Sequence, residues 1–164
     1  MSAPAAAVTP SVGADALVDA VSVAVASVDD PEYPEVSIAD LGLVESIVVS
    51  GAAAEIGLVP TFSGCPALAM IAADVEAAVL VVHGIDDVNV TWLRAPAWSP
   101  ERVTDRGRAA LAHRFTVAVS IGSEPAACPR CGAATEPRSL FGPSRCRSVS
   151  VCPSCSETVE VLRG

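Results

Sequence analysis

The spacing of apolar and polar positions predicts three helices in the first two thirds of the chain. A run of alanines and valines over residues 14–28 can form the first. From Pro66 to about Val82, apolar side chains recur at the i, i+3, i+4 and i+7 positions that share one face of a helix. In the segment APAWSPERVTDRGRAAL, Ser99 fits an N-cap and Pro100 the first position of a third helix.

The second predicted helix is apolar nearly all round. Outside its main apolar face it carries Met70, Leu80 and Val81. A helix without a polar face is either deeply buried or takes part in a protein–protein contact. The pattern therefore makes a homodimer one candidate assembly.

Three strands fit between these helices. Pro31 and Pro34 break any helix and predict an extended loop that leads into a strand near Val44–Val49. The turn SGAA then returns the chain as Glu55–Thr61, which predicts a hairpin. Residues 88–92 alternate apolar with polar side chains and predict a third strand. The order is α-β-β-α-β-α, a small α/β domain.

Composition divides the chain into four parts. Residues 1–13 are rich in Ala, Pro and Ser and are expected to form a disordered tail. Residues 14–115 hold the α/β domain, residues 116–127 form a linker of uncertain structure, and residues 128–164 are a small cysteine-rich unit. With 51% hydrophobic and only 4% aromatic residues, Ala, Val, Leu and Ile must fill the core.

The charge argues against two classes of partner. The net charge is −9, and all ten basic residues are arginines. Residues 1–124 carry −11 and residues 125–164 carry +2, so the cysteine-rich unit differs from the rest. Nucleic acids and anionic membranes are bound largely by neutralising phosphate, so neither is expected as a partner.

The sequence is expected to stay in the cytoplasm. No basic segment precedes the apolar stretch at the N-terminus, and Asp74 and Glu76 interrupt the longest apolar run. Cysteines in a reducing compartment stay free of disulfides. The six cysteines are therefore interpreted as metal ligands or reactive thiols.

Two Cys-x-x-Cys pairs give the strongest chemical signal in the sequence. They are CPRC, which contains Cys128 and Cys131, and CPSC, which contains Cys152 and Cys155. Two such pairs can enclose one metal ion in a tetrahedral Cys₄ site, and the residues between them suit a hairpin. We interpret the segment as a structural zinc ribbon rather than a redox or iron–sulfur site. Cys146, between the pairs, is either a filler or an auxiliary ligand.

Cys65 lies apart from the other cysteines, where a predicted strand passes into the second helix. With Pro66 at the first helical position, Cys65 would be the N-cap, and the helix dipole would stabilise a partial thiolate. Such a thiol could ligate metal. A small side chain packed in a tight turn explains the same residue equally well.

Four motifs, taken together, resemble the PaaD family of phenylacetate-degradation proteins. They are DDPEYPEVSIADLGLVESIVV, VPTFSGCPALAMI, VTWLRAPAWSPERVTDRGRAAL and the ribbon CPRCG…SLFGPSRCRSV…CPSC. The resemblance implies a SufT-like domain associated with iron–sulfur assembly, followed by a zinc ribbon. It implies a metal-associated cysteine at Cys65. It also matches Thr61, Ser63, Asp30, Glu32, Asp40 and Cys146 as auxiliary positions.

The resemblance implies an accessory factor rather than an enzyme. Its role would be to support the metal centres of the multicomponent oxygenase that epoxidises phenylacetyl-CoA, with the oxygenase subunits or their reductase as partners. Iron or an iron–sulfur cluster would be bound transiently at Cys65, and zinc would be structural. Two alternatives remain: a structural adaptor that binds only zinc, and a direct oxygenase subunit. The acidic DDPEYPE loop is either a ligand-rich loop beside Cys65 or a solvated loop shaped by its prolines.

Overall fold

The computed structural model describes residues 13–163, so the predicted disordered tail lies outside the described residues except for Gly13. Two units follow one another. We call residues 13–115 the body and residues 117–163 the ribbon. The body contains α1 (Ala14–Ala26), β1 (Asp29–Asp30), β2 (Tyr33–Ser37), β3 (Val44–Ser50), β4 (Ala53–Leu58), α2 (Leu68–Leu80), β5 (Asp87–Trp92) and α3 (Asp105–Phe115). The ribbon contains β6 (Val117–Val119), β7 (Glu136–Ser139), β8 (Arg147–Val151) and β9 (Thr158–Leu162).

The central sheet of the body has the order β3-β4-β5. β3 and β4 form the predicted antiparallel hairpin, whose turn includes Gly51 in the left-handed region at φ 61°. β5 runs parallel to β4, and the connection between them contains α2. This mixed α/β arrangement confirms the predicted fold class. Strand β4 ends at Leu58, three residues before the predicted end.

The helix α2 is buried on one face only. Ile71, Val75 and Val79 point into the core, as the periodicity predicts. Met70 is 56% exposed, and Leu80 and Val81 are also exposed. The homodimer therefore stays a prediction, with an apolar surface available for it.

The third helix begins later than the sequence predicts. Residues Pro100–Arg102 form a single 3₁₀ turn, and Ser99 makes no capping hydrogen bond with its side chain. The chain then extends at Val103, which is buried, and α3 starts after Thr104. The Thr104 hydroxyl accepts a hydrogen bond from the Gly107 N–H at 3.0 Å. Burial of Val103 and this second cap separate the predicted helix into two pieces.

Two further elements lie where the sequence predicts no regular structure. β1 and β2 form a short hairpin within the predicted extended loop. β6 lies within residues 116–127, the predicted linker, and pairs in parallel with β9. It makes the sheet of the ribbon four-stranded, with the order β6-β9-β8-β7.

The two units share a hydrophobic core. The main cluster of buried residues is formed by the body but also includes Val117, Cys146 and Leu162 of the ribbon. A second, smaller cluster lies inside the ribbon and includes Cys128, Cys152 and Val159. The ribbon is therefore packed against the body. Among residues 13–163, no helix is long and apolar enough to cross a membrane.

Candidate functional site

The two Cys-x-x-Cys pairs adopt the same backbone turn. In each, the carbonyl of the first cysteine accepts the N–H of the residue four positions later, and its own N–H donates to the carbonyl five positions later. These bonds are Gly132 N to Cys128 O at 2.9 Å, Ser156 N to Cys152 O at 2.9 Å, Cys128 N to Ala133 O at 2.8 Å and Cys152 N to Glu157 O at 2.9 Å. Gly132 and Ser156 have positive φ angles of 75° and 62°. Each turn thereby directs its two sulfurs to the same side.

The four sulfurs of these turns come together. The Sγ atoms of Cys128 and Cys155 are 3.7 Å apart, and those of Cys131 and Cys152 are 3.4 Å apart. All four lie within 4.8 Å of one another, and none is in a disulfide. Zinc with bonds of about 2.3 Å to four sulfurs would place them about 3.8 Å apart. Within residues 13–163, this is the only group of three or more His, Cys, Asp or Glu donors that could hold a metal ion.

The thiols in this cluster cannot all ionise without a cation. Burial raises the pKa of Cys152, but hydrogen bonds from the Cys155 N–H, the Cys131 thiol and the Ser154 N–H lower it to about 7. For Cys155, the Glu157 N–H lowers the pKa, whereas burial and the three neighbouring thiols raise it to about 12. Like charges this close repel each other. A divalent ion would remove that conflict, so the donor set fits zinc.

A second candidate site lies at the seam between the body and the ribbon. It is a cavity of about 310 Å³. The body contributes Glu32, Phe62, Gly64, Cys65 and Pro66, and the ribbon contributes Pro143, Ser144, Arg145 and Cys146. Cys65 is half-buried and Cys146 is 8% exposed. The structure therefore brings Cys65, Cys146 and Glu32 to one cavity, although no three donor atoms there converge as they do in the four-cysteine cluster.

Cys65 is not the N-cap of a helix, so that prediction is wrong. Helix α2 begins at Leu68, and its N-cap is Ala67. Cys65 lies in the turn before it, where its N–H donates to the Phe62 carbonyl at 3.1 Å and its carbonyl accepts the Leu68 N–H at 3.3 Å. A single turn of this kind lacks the aligned dipoles of a helix end.

The predicted lowering of the Cys65 pKa is also wrong. Burial raises the pKa of the Cys65 thiol, and the nearby Glu32, Cys146 and Asp30 raise it further. The Ala67 N–H acts in the opposite direction. At neutral pH the free side chain is therefore a thiol, and binding a metal would have to displace its proton.

Arg147 is a residue of this seam that the sequence did not single out. Its guanidinium bonds to Glu160 of the ribbon at 2.6 Å and lies 3.3 Å from Glu32 of the body. It also stands 5.2 Å above the ring of Tyr33. Only its position directly after Cys146 could have drawn attention to it.

The remaining predicted auxiliary residues lie in other places. Asp30 caps its own turn by accepting the Glu32 N–H at 2.8 Å, and burial raises its pKa. The Asp40 carboxylate accepts hydrogen bonds from Thr104 at 2.7 Å and Arg106 at 2.8 Å. Burial raises the pKa of Asp40, but these bonds outweigh it and hold the pKa below the ordinary value. Asp40 thus holds the start of α3 and does not line the Cys65 cavity.

Thr61 and Ser63 line a different, larger cavity. It measures about 720 Å³ and opens on the other side of Phe62. Trp92, Leu93 and Trp98 form its apolar lining, together with other residues of the same loops. Both tryptophan N–H groups are already used, with bonds to the carbonyls of Leu68 and Leu41.

Comparison with known proteins identifies both units. Residues 18–92 match the family described as "Iron-sulfur cluster assembly protein", and residues 113–163 match the "PaaD zinc beta ribbon domain". A crystal structure of a domain of unknown function, DUF59, from Bacillus anthracis is similar to 61% of this chain and 95% of its own, with a TM-score of 0.57 and 29% identity. The chain thus combines an iron–sulfur-assembly domain with a zinc ribbon.

A relative that matches most of the chain is known by name. It is an Escherichia coli K12 protein that bears the name "Putative 1,2-phenylacetyl-CoA epoxidase" as one of the subunits of that complex. The two proteins are 31% identical over 144 residues, which cover 83% of this chain and 86% of the relative. The chain belongs to the PaaD family.

Proposed function

We propose that this protein is a non-catalytic accessory factor that supports assembly of iron or iron–sulfur centres in a phenylacetyl-CoA epoxidase complex. The name of the E. coli relative supports the complex, and the description of the family that matches the body supports the chemistry. Its partners would be subunits of the epoxidase or its reductase. Iron or the cluster would be cargo and not a resident cofactor.

In this proposal zinc is structural. Cys128, Cys131, Cys152 and Cys155 would hold one ion, which supplies folding energy to the ribbon. Their sulfurs form the centre of the small ribbon core, in which Cys152 is fully buried. A four-thiolate site has no open coordination position, so it serves shape and not reaction.

The observation that carries the proposal is the position of Cys65. Its thiol lies outside the zinc cluster, is half-buried, and lines a cavity open to solvent. A cysteine that only fills space would have apolar neighbours on every side. The Asp30–Glu32 turn next to it adds negative charge, which favours a cation at this place.

The test is a comparison of metal content in matched variants. The wild type, Cys65→Ser and Cys152→Ser are purified without oxygen, and their zinc, iron and visible absorption are measured. We expect about one zinc in the wild type and in Cys65→Ser, and loss of zinc in Cys152→Ser. Iron and its absorption should disappear in Cys65→Ser, and epoxidase matured with this variant should carry less iron.

A structural adaptor is the second candidate function. It is favoured by the absence, within the described residues, of a converged group of donors at Cys65. If the wild type never retains iron and Cys65→Ser matures the epoxidase normally, the adaptor is the correct function. If the isolated protein turns over phenylacetyl-CoA, it is itself an enzyme, and both proposals are wrong.

A further inference from the structure

The cavity at the seam contains one cysteine from each unit. Cys65 comes from the turn before α2, and Cys146 comes from the residue before β8. The sequence separates them by 81 positions, and the pairing of the Cys-x-x-Cys motifs leaves Cys146 without an obvious role. It packs in the main core with the body, and not in the small core of the ribbon.

The position of Cys146 is fixed from both sides. Its carbonyl accepts the Arg163 N–H at 3.0 Å, and its Sγ lies 3.1 Å from the Ser144 hydroxyl. The next residue, Arg147, is held by Glu160 and by Glu32. This arrangement presents the thiol of the ribbon to the body and leaves little freedom to either.

The cavity around the two thiols has an electrostatic character suited to a metal centre. Glu32 lines it on one side, and Arg145 lines it on the other. The Arg145 guanidinium stands 5.5 Å above the Phe62 ring, at the same wall as Cys65. The charge of Cys146 affects that of Cys65, so the two sulfurs are close enough to interact.

We propose that Cys65 and Cys146 form one two-thiol site, in which both sulfurs ligate the same iron atom of the cargo. The inference rests on the proposed function and deepens it by adding a second ligand from the ribbon. Each thiol gives up its proton to solvent as its Fe–S bond forms. A closing movement of the seam would bring the sulfurs to the spacing that the zinc site already has.

Two protein sulfurs suit a centre that has to be released. In a [2Fe–2S] cluster held by four cysteines, each iron takes two of them. Cys65 and Cys146 would satisfy one iron and leave the other to thiols of the receiving protein. The four-cysteine cluster of the ribbon, by contrast, encloses its ion on all sides. The two sites would thus separate retention of zinc from transfer of iron.

Phenylarsine oxide tests whether the two thiols can reach one atom. With a pair of thiols, two As–S bonds form, the As–O bond breaks, and the oxygen leaves as water with both thiol protons. We expect one arsenical per zinc-loaded full-length chain that survives washing with excess monothiol. Proteolysis and mass spectrometry should find it joining the Cys65 peptide to the Cys146 peptide. Cys65→Ser and Cys146→Ser should each lose this wash-resistant adduct.

The mapping keeps the test decisive if Cys146→Ser fails to fold, because it needs only the wild type and Cys65→Ser. Zinc is measured in each sample. An adduct that joins cysteines of the zinc cluster, or only adducts that a monothiol removes, would overturn the inference.

Iron uptake then distinguishes this inference from the proposed function. Fe²⁺ and sulfide are added without oxygen to zinc-loaded wild type, Cys65→Ser and Cys146→Ser. Equal loss of iron and of the thiolate charge-transfer bands in both variants is expected. Loss in Cys65→Ser alone leaves the proposed function intact and rejects the role of Cys146. Failure of the wild type itself to take up iron rejects both.

Discussion

Arg147 of the ribbon and Glu32 of the body face each other across the seam, with Nη2 and Oε1 3.3 Å apart. Arg147 also bonds to Glu160 at 2.6 Å and lies over Tyr33, and its side chain is only 13% exposed. One guanidinium therefore joins a carboxylate of each unit. Because it directly follows Cys146, it also sets where that thiol lies.

We expect Arg147→Ala to destabilise the protein by about 2–3 kcal/mol, because it leaves two partly buried carboxylates without their shared cation. The measurement is urea unfolding of the zinc-loaded protein. The matched control is Arg114→Ala, whose ion pair with Glu35 is exposed on both sides. It should cost less than about 1 kcal/mol. Equal effects of the two variants would show that Arg147 does not hold the seam.

Zinc removal is expected to unfold the ribbon and to weaken the body. The small ribbon core is built around Cys128 and Cys152, while Leu162 and Val117 belong to the main core. A chelator should release about one zinc per chain and abolish hydrogen-exchange protection in β8 and β9, with partial loss in β3–β5. Cys146→Ser is the matched control, since it changes a cysteine outside the cluster and should keep its zinc. Full protection of the ribbon after zinc release would contradict the expectation.

Asp40 is expected to contribute stability that depends on pH. Its pKa is lowered in the folded protein by the bonds from Arg106 and Thr104, although burial opposes them. A lowered pKa favours folding above the ordinary aspartate value of about 3.9, and the contribution disappears as the pH falls through the folded value. Asp40→Asn should therefore cost roughly 1.5–3 kcal/mol at pH 7, and the difference from wild type should shrink only below about pH 4.

Urea unfolding of wild type and variant between pH 7 and the lowest pH that keeps the wild type folded would measure this difference. Asp74→Asn, at an exposed position of α2, controls for general effects of acid and for loss of zinc. A difference that disappears already between pH 7 and pH 5 would contradict the expectation.

Gly42 is expected to tolerate no side chain. It has φ 70°, and a Cβ there would stand 2.6 Å from the carbonyl carbon of Arg102 and closer still to its oxygen. Gly51 has a similar φ of 61° but open space around it, which makes Gly51→Ala the matched control. We expect about 1–2 kcal/mol for Gly51→Ala from the left-handed backbone alone, and ~1–3 kcal/mol more for Gly42→Ala from the clash. Thermal unfolding would measure both, and equal costs would mean that the Arg102 backbone gives way freely.

The regular part of the body was predictable because its patterns are local. The hairpin of β3 and β4, the face of α2 with Ile71 and Val75, and the alternation in β5 all follow from periodicity. The start of α3 was not, since Val103 leaves the helical path to be buried against distant residues. Pro66 suggested a helix start, yet the chain first makes a turn closed by the Phe62 carbonyl.

The zinc cluster and the seam differ in the same way. The spacing of Cys128, Cys131, Cys152 and Cys155 is enough to predict that they come together, and they do. The meeting of Cys65 with Cys146 depends on how the ribbon packs on the body. No spacing rule relates two cysteines in separate units, and Arg147 has no motif of its own. Packing between units therefore determines the part of the site that sequence patterns cannot supply.

The presence of Leu162 in the main core affects how the protein is made. A ribosome releases the body first, and its interior still lacks Val117, Cys146 and Leu162 at that moment. The nascent polypeptide must therefore wait with an apolar groove uncovered until translation reaches the last strand. Synthesis that stalls before β9 would leave a product prone to aggregation and open to proteases, so the cell would retain mainly copies whose metal-binding end is complete.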